Sequence, residues 1–283
     1  MPAVNTLVAK LESQFHLTPK ERDAIAALPS RLVTLSPDEM IHRAGDRPTD
    51  CFVVLDGMVS SSRDIEDGKR QIMSFYVRGD MPDLRTLHLG VIDCDVIAIG
   101  PGRIAVIEHE DLRRICEQHP RIAAAFWRST LVIAAIYREW IVNIGHRSAL
   151  ARLAHLLCEM MVRHEAAGLV HDGVCELPLT QMHLSAATGL SAVHLNRTLQ
   201  ELRKRGLVTY FGGRLAIPDR DALAALANFS PDYLYLPGPR EPRREPGARS
   251  AVGCPRHVTP AALGAGPPRC FLVLPIPLSQ SRP

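Results

Sequence analysis

The pattern of apolar and polar positions divides the chain into a strand-rich part and a helical part. Residues 5–27 have helical segments that break near Leu17-Thr18-Pro19, where Thr18 can cap a helix and Pro19 can take its first position. After Arg31, short β-type runs alternate with turn sequences such as Asp56-Gly57. The runs are Leu32–Leu35, Cys51–Leu55, Met58–Arg63, Gln71–Val77, Val96–Ile99 and Arg103–Glu108. Many short strands at near-regular spacing predict an antiparallel roll or barrel.

The helical part begins at Pro120 with a long apolar helix, from Arg121 to about Gly145. A helix with so few charges must be covered on more than one side. We expect one side to pack on the β-roll and the other on the same helix of a second chain, as a short coiled coil. Burial within one subunit is the alternative. The residues assigned to the dimer interface are Phe126, Ile133, Tyr137, Trp140 and Ile144, beside a neighbouring row of Trp127, Ala134 and Ile141.

A second helix is predicted from Arg147 to about His164, with apolar residues at helical spacing. The sequence Ile144-Gly145-His146 is the expected break between the two helices. This break would act as a hinge, near Ile144–Arg147, between the two parts of the molecule.

The stretch Leu179–Gly206 predicts two helices joined by a tight turn. Thr180 and Ser191 can cap the two helices, and Gly189 can end the first in the left-handed conformation. The second helix carries an apolar stripe of Val193, Leu195, Leu199 and Leu202. Its other face holds Arg, Asn, Gln and His, which can bond base edges in the major groove of DNA, and its cations can neutralise phosphates. An ordinary helical hairpin with a solvated basic face is the alternative.

Two short β runs around Gly212-Gly213 predict a hairpin after these helices, so the domain is expected to be a winged helix. Asp219–Phe229 is predicted as a closing helix. The candidate phosphate contacts are Thr180, Gln181, Arg203, Lys204 and Arg214. For the last three, a solvated surface position is the alternative.

The run Leu177-Pro-Leu-Thr-Gln181, with Gly189-Leu-Ser-Ala-Val-His-Leu-Asn-Arg197-Thr-Leu-Gln-Glu-Leu-Arg203, resembles the helix-turn-helix of the Crp/Fnr family of bacterial transcription regulators. The resemblance implies that Arg197 contacts DNA bases. Many relatives have a glutamate where this chain has valine, which can touch a thymine methyl group but cannot bond a base edge. The expected base-reading residues are Arg197, Asn196, His194 and Val193. No family operator is transferred.

The segment Ile41–Gly57 resembles the signature of the cyclic-nucleotide-binding domain. The matching residues are Gly45, Asp46, Phe52, Val53, Val54 and Gly57, whereas His42, Pro48 and Cys51 depart from the commonest residues. The resemblance supports a β-roll fold more than it supports a ligand.

Relatives that bind cyclic nucleotide carry a phosphate cassette that opens with Gly-Glu and contains an Arg-Ser pair, whose guanidinium binds the cyclic phosphate. This chain has Gly79-Asp80 and, where the pair aligns, Asp93-Cys94. An acid there would repel phosphate, so we expect a roll that does not bind cyclic nucleotide. The alternative is that Arg85 substitutes for the missing arginine. The candidate effector pocket is Gly79, Asp80, Arg85, Asp93 and Cys94.

Composition adds mainly exclusions. The net charge of +3 does not by itself indicate a nucleic-acid binder. No run of about 20 apolar residues is present, and Lys10 and Glu12 come too early for a signal peptide, so we expect a cytoplasmic protein without a membrane partner. No cysteine precedes Cys51, which argues against the iron–sulfur sensors of the family. Neither a cofactor, a metal site nor a set of catalytic residues is expected.

These observations predict an α+β chain: an N-terminal double-stranded β-helix (a jelly-roll-like β-roll), a long dimerisation helix and a C-terminal winged helix-turn-helix. The expected divisions are a sensor domain over 1–119, the dimerisation helix and hinge over 120–146, the DNA-binding domain over 147–236, and a disordered tail over 237–283. The tail is rich in Pro and Arg and holds 11 of the 22 prolines.

The expected function is that of a homodimeric transcription regulator on a palindromic site of double-stranded DNA. RNA polymerase is an expected partner, and an unknown small-molecule effector is allowed. Two rivals stay open: a cyclic-nucleotide-dependent regulator, and a scaffold subunit whose helical hairpin binds protein. An enzyme is not expected.

Overall fold

The computed structural model describes residues 4–65 and 69–236. Residues 66–68, between two of the predicted strands, and the predicted tail over 237–283 lie outside the described residues. Within the two described ranges, no helix has the length and apolar character needed to cross a membrane.

Two short helices open the chain, α1 (Asn5–Glu12) and α2 (Pro19–Ala26). The predicted start of α2 is confirmed. The Thr18 hydroxyl accepts a bond from the Glu21 N–H, and the Glu21 carboxylate accepts one from the Thr18 N–H, with Pro19 in the first turn. This reciprocal capping explains why the helix begins where the local sequence says it should.

Two antiparallel sheets form the β-roll. The strands are β1 (Arg31–Leu35), β2 (Met40–His42), β3 (Asp50–Asp56), β4 (Val59–Ile65), β5 (Lys69–Tyr76), β6 (Asp95–Ala98) and β7 (Gly102–Glu108). One sheet has the order β1-β7-β3 and the other β2-β6-β4-β5. The core between the sheets contains Phe52, Val54, Tyr76, Ile92 and Val96. All six predicted strands are present.

Gly57 shows why one of the predicted turns needs glycine. Its φ is +76°, and a Cβ there would lie 2.7 Å from the Pro101 carbonyl oxygen. A side chain at this position would therefore separate the β3–β4 turn from the β6–β7 turn.

Three helices follow the roll: α4 (His109–Gln118), α5 (Pro120–His146) and α6 (Ala149–Ala166), after the short α3 (Thr86–Leu89) inside it. The long helix is confirmed, but the predicted break at Ile144–His146 is wrong. Gly145 remains helical, and the chain turns at Arg147, whose ψ is 143°. The Ser148 side chain then caps α6 by accepting a bond from the Ala151 N–H. A cap at Ser148, rather than the glycine, determines where the helices separate.

The row of α5 predicted to form the dimer interface does not face solvent; it packs largely within the chain itself. Phe126 and Trp140 are buried within the chain's own core. Trp140 packs edge-on against Phe75 and donates to Glu159 on α6 at 2.9 Å. Ile133, Tyr137 and Ile144 are half-buried. The row that faces solvent is the neighbouring one, which includes Trp127 and Ile141.

The C-terminal part forms a winged helix-turn-helix. Its elements are β8 (Val170–His171), β9 (Val174–Glu176), α7 (Gln181–Thr188), α8 (Ala192–Lys204), β10 (Thr209–Phe211), β11 (Arg214–Ala216), α9 (Arg220–Ala227) and a 3-10 turn (Pro231–Leu234). The predicted hairpin around Gly212-Gly213 is present, within a four-stranded sheet of order β10-β11-β9-β8. The hairpin β8–β9 was not predicted because its strands have only two and three residues.

A buried ion cluster joins the β-roll to α6. Arg163 on α6 lies 2.9 Å from the Asp80 carboxylate and 3.1 Å from that of Glu159, and Lys10 lies 2.7 Å from Asp80. Burial disfavours the Asp80 anion, but Lys10 and Arg163 together hold the pKa of its carboxyl below the usual value. The predicted role of Asp80 in an effector pocket is therefore wrong, since its oxygens bind the two cations instead.

Candidate DNA-binding surface and sensor cavity

The helix-turn-helix is fixed by local capping as predicted. The Thr180 hydroxyl accepts a bond from the His183 N–H, and the Ser191 hydroxyl accepts one from the His194 N–H. Gly189 ends α7 with φ +65°. Both helices therefore start at hydroxyl residues and are separated by a turn that glycine permits.

The outer face of α8 carries the predicted base-reading residues. His194, Asn196 and Arg197 are exposed, and Leu195, Leu199 and Leu202 are fully buried beneath them. Val193 is 73% exposed, so its predicted place in the buried stripe is wrong. At about 100° per residue, Val193 lies some 200° around the helix from Leu195. It shares the solvent face with the polar residues.

The predicted phosphate contacts behave differently from one another. Thr180, Gln181, Lys204 and Arg214 are exposed and have free access to solvent. Arg203 is half-buried, and its guanidinium donates to the Tyr210 carbonyl oxygen on β10. Arg203 therefore joins α8 to the wing, and its contact with phosphate stays a prediction.

A cavity of about 410 Å³, here called the sensor cavity, lies between β5, the loop before β6 and α5. Arg85, Asp93 and Cys94 of the predicted pocket line it, together with Tyr137 and Trp140. Gly79 and Asp80 do not. Gly79 packs on α1, where a Cβ would lie 2.7 Å from that of Lys10. Three of the five predicted pocket residues thus come together.

The Arg85 guanidinium is already engaged in this cavity. Its Nη2 lies 2.8 Å from Asp93 Oδ1 and 3.1 Å from Cys94 Sγ, and its Nη1 donates to the Pro82 carbonyl. Partial burial opposes the Asp93 anion, yet Arg85 holds the pKa of its carboxyl below the usual value. Arg85, the one arginine among the described residues of this wall, is thus paired with a carboxylate of the same chain.

Sequence reasoning missed two further residues at this site. The Tyr137 hydroxyl on α5 lies 2.7 Å from the buried Tyr76 hydroxyl, which ties the long helix to the roll. Gln71 on β5 lines the cavity and also bonds to α7. The partners in both contacts are far apart in sequence, so no local pattern could have indicated them.

Two family models match the chain. One described as a cyclic nucleotide-binding domain matches residues 32–119, and one described as a Crp-like helix-turn-helix domain matches residues 151–226. The first covers most of the β-roll and the second covers the capped helix pair with its wing. The matches fall in the order that the sequence predicted.

Known proteins resemble the chain over most of its length. The nitrogen fixation regulation protein FixK of Bradyrhizobium diazoefficiens is 25% identical, over 70% of this chain and 82% of that protein. The fumarate and nitrate reduction regulatory protein of Escherichia coli K12 is 22% identical, over 78% of this chain and 88% of that protein. These names describe regulators and agree with the expectation that the chain is not an enzyme.

The fold is also that of solved structures. FixK2 from Bradyrhizobium japonicum superimposes with a TM-score of 0.65 at 22% identity, over 70% of this chain and 98% of that one. A CooA mutant from Carboxydothermus hydrogenoformans gives 0.57 at 16% identity, over 78% and 95%. With the two matched domains in this order and regulators as relatives, the chain belongs to the Crp/Fnr family of transcription regulators and carries a helix-turn-helix DNA-binding domain.

Proposed function

We propose that the protein acts as a homodimer on a palindromic DNA site and that cyclic nucleotide is not its signal. The observation that carries this proposal is the outer face of α8. There, Arg197, Asn196 and His194 stand exposed on a helix whose other side is fully packed. A rigid helix with such side chains can enter a major groove and read base edges.

The solvent face of α5 supports the dimer. Trp127, Leu131 and Ile141 are 69%, 53% and 71% exposed. Together with Ala134 and Arg138 they follow a spacing of four and three residues, which is the heptad seam of a coiled coil. Two chains joined along this seam would present two recognition helices to successive major grooves, about one helical turn apart.

The chemistry of the sensor cavity supports independence from cyclic nucleotide. A cyclic phosphate would have to displace Asp93 from Arg85, and the displaced carboxylate would remain beside the phosphate. The apolar part of the wall, including Ile72, Trp140 and Ile144, favours a less charged effector.

A cyclic-nucleotide-dependent regulator is the second candidate, because one observation favours it. Arg85 does line the cavity, as that reading requires. The substitution Arg85→Ala distinguishes the two candidates. In a cyclic-nucleotide-dependent regulator it abolishes the response of DNA binding to nucleotide. In a regulator that does not bind nucleotide, DNA binding is unaffected by nucleotide before and after the substitution.

RNA polymerase and a cytoplasmic location belong to the same proposal. A regulator that binds promoter DNA acts beside the polymerase, in the compartment that holds the bacterial chromosome. Both follow from membership of a family of bacterial transcription regulators rather than from a contact in this chain.

The test is binding of the purified protein to its own upstream DNA, followed by fluorescence anisotropy at several salt concentrations, with and without cyclic AMP. We expect binding that strengthens as salt falls, because cations on the protein release counterions from DNA. Arg197→Ala should weaken binding ~5- to 150-fold, the equivalent of about 1–3 kcal/mol for a bidentate arginine–guanine contact. The buried-face control Thr198→Val should bind as the wild type does.

Binding that requires cyclic AMP would move the conclusion to the second candidate. Failure to bind either the upstream DNA or a randomised library, at low salt and with intact folding, would contradict both and favour a scaffold subunit.

A further inference from the structure

The β-roll contacts the C-terminal end of α7 through Gln71 on β5. The Gln71 side-chain amide on β5 donates to the Ala186 carbonyl at 2.8 Å and lies 3.5 Å from the Ala187 carbonyl. Arg152 donates to the next carbonyl, that of Thr188, at 2.8 Å. The last four carbonyls of a helix have no partner within it, so these bonds satisfy groups that would otherwise need water. The first helix of the helix-turn-helix is thereby attached to the β-roll of its own chain.

The sensor half also reaches the other end of α7. Asp38, in the loop between β1 and β2, places its carboxylate 3.9 Å from Nε2 of His183. His183 belongs to the first turn of α7, next to Thr180 and Gln181, the two proposed phosphate contacts. In a helix-turn-helix the first helix crosses the DNA backbone. A carboxylate at that turn repels an incoming phosphate.

Gln71 also lines the sensor cavity. The same side chain therefore touches the space in which an effector would bind and the helix that would contact DNA. Met73, two residues further along β5, lines the cavity beside it.

We propose that Gln71 is a positioning residue that holds α7 in a docked arrangement with Asp38 beside its first turn, and that this arrangement lowers DNA affinity. Filling the sensor cavity displaces the Gln71 amide and frees the helix-turn-helix to meet DNA. This inference rests on the proposed function, since it assigns the regulation of the same DNA-binding surface.

The sharpest variant is Gln71→Glu, which keeps the shape of the side chain, removes the N–H donors and sets a carboxylate against three carbonyls, those of Ala186, Ala187 and Ile72. Its control is Gln118→Glu, which makes the same charge change at an exposed residue of α4. DNA affinity is measured by anisotropy, without effector, on a duplex that the wild type retains from a randomised library. We expect Gln71→Glu to bind at least ~5-fold more tightly than the wild type, although its added negative charge opposes DNA binding. Gln118→Glu should not bind more tightly.

The direction of the change in DNA affinity distinguishes a regulatory contact at Gln71 from one that only stabilises the fold. Loss of structure in the helix-turn-helix would weaken DNA binding, whereas release of a docked helix strengthens it. Asp38→Asn provides a second variant that preserves folding, because Asn tolerates the positive φ of +61° at this position. It should also strengthen binding. Unchanged or weaker binding in both variants would overturn the proposal.

The link to the cavity has its own test. Met73→Trp enlarges a side chain on the cavity wall and should raise DNA affinity in the wild-type background. In the Gln71→Glu background it should add nothing, because coupled residues are not additive. Independent, additive effects of the two substitutions would show that the cavity does not act through Gln71.

Hydrogen exchange separates failure of this inference from failure of the proposed function, since it needs no DNA. In the free protein, amides of residues 185–189 should exchange at least ~10-fold faster in Gln71→Glu than in Gln118→Glu. If the wild type binds no DNA, the proposed function fails while this readout still reports on the contact. Equal exchange rates for these amides in the two variants would refute the proposal that Gln71 holds α7 in place.

Discussion

His155 is a buried histidine on α6 whose ionisation is coupled to folding. It is fully buried on α6, edge-on to Phe229 and nearly parallel to the ring of Tyr233, and it lies 3.2 Å from the Glu139 carboxylate. Burial, reinforced by the nearby Arg147 cation, lowers its pKa to about 4, and Glu139 opposes the shift only in part. The native state therefore holds this imidazole neutral at pH 7.

This lowered pKa predicts a loss of stability in acid. As pH falls below about 6.5, the unfolded chain takes up a proton that native His155 refuses until about pH 4, so the free energy of unfolding falls across that window. The free energy of unfolding, measured in urea, should fall between pH 7 and pH 5 in both proteins. In His155→Met this fall should be smaller than in the wild type by roughly 2 kcal/mol. His171→Gln, at an exposed histidine, is the control. An unchanged decrease in His155→Met would contradict this account of the buried imidazole.

Capping residues were the most predictable part of the chain at this scale. Thr18, Thr180 and Ser191 each act on a backbone N–H three residues away, so the local sequence contains all the information. Asp80 and Arg163 are 83 positions apart in the chain, and only the folded molecule brings them together. The sequence Gly79-Asp80 resembles the start of a ligand cassette, but Asp80 forms a structural ion pair with Arg163.

At the scale of elements, α5 shows the limit of periodicity. Apolar residues occupy nearly every side of this helix, so two rows with the same seven-residue repeat were both acceptable. Phe126 and Trp140 face the chain's own core, and Trp127 and Ile141 face solvent. The β-roll and α6, rather than the helix sequence itself, decide which row is covered.

The two rows predict opposite effects of substitution on α5. Ile141→Glu places a charge in the exposed seam and should convert a dimer to monomers in sedimentation velocity while leaving the fold intact. Trp140→Phe removes the bond to Glu159 from the buried row and should lower the free energy of unfolding by about 1–3 kcal/mol without dissociating the dimer. Dissociation by Trp140→Phe, with Ile141→Glu still dimeric, would restore the original assignment of the seam.

Across the whole molecule, the described residues of the β-roll and of the winged helix-turn-helix belong to one compact unit. The contacts that join them are specific: Arg163 with Asp80, Gln71 with the end of α7, and Arg147 with Glu139 and the end of α9. Sequence patterns predicted the two halves separately and in the right order. They could not predict the junction, because each of these contacts pairs residues from different elements.

DNA reading by a dimer through α8 is tested by sequencing the DNA that the purified protein retains from a randomised library, in parallel with Arg197→Ala. We expect one enriched motif with two-fold symmetry, with half-site centres roughly 10 base pairs apart, and loss of that motif in the variant. Enrichment of a single asymmetric site, or the same motif in Arg197→Ala, would contradict a dimer that reads DNA through α8.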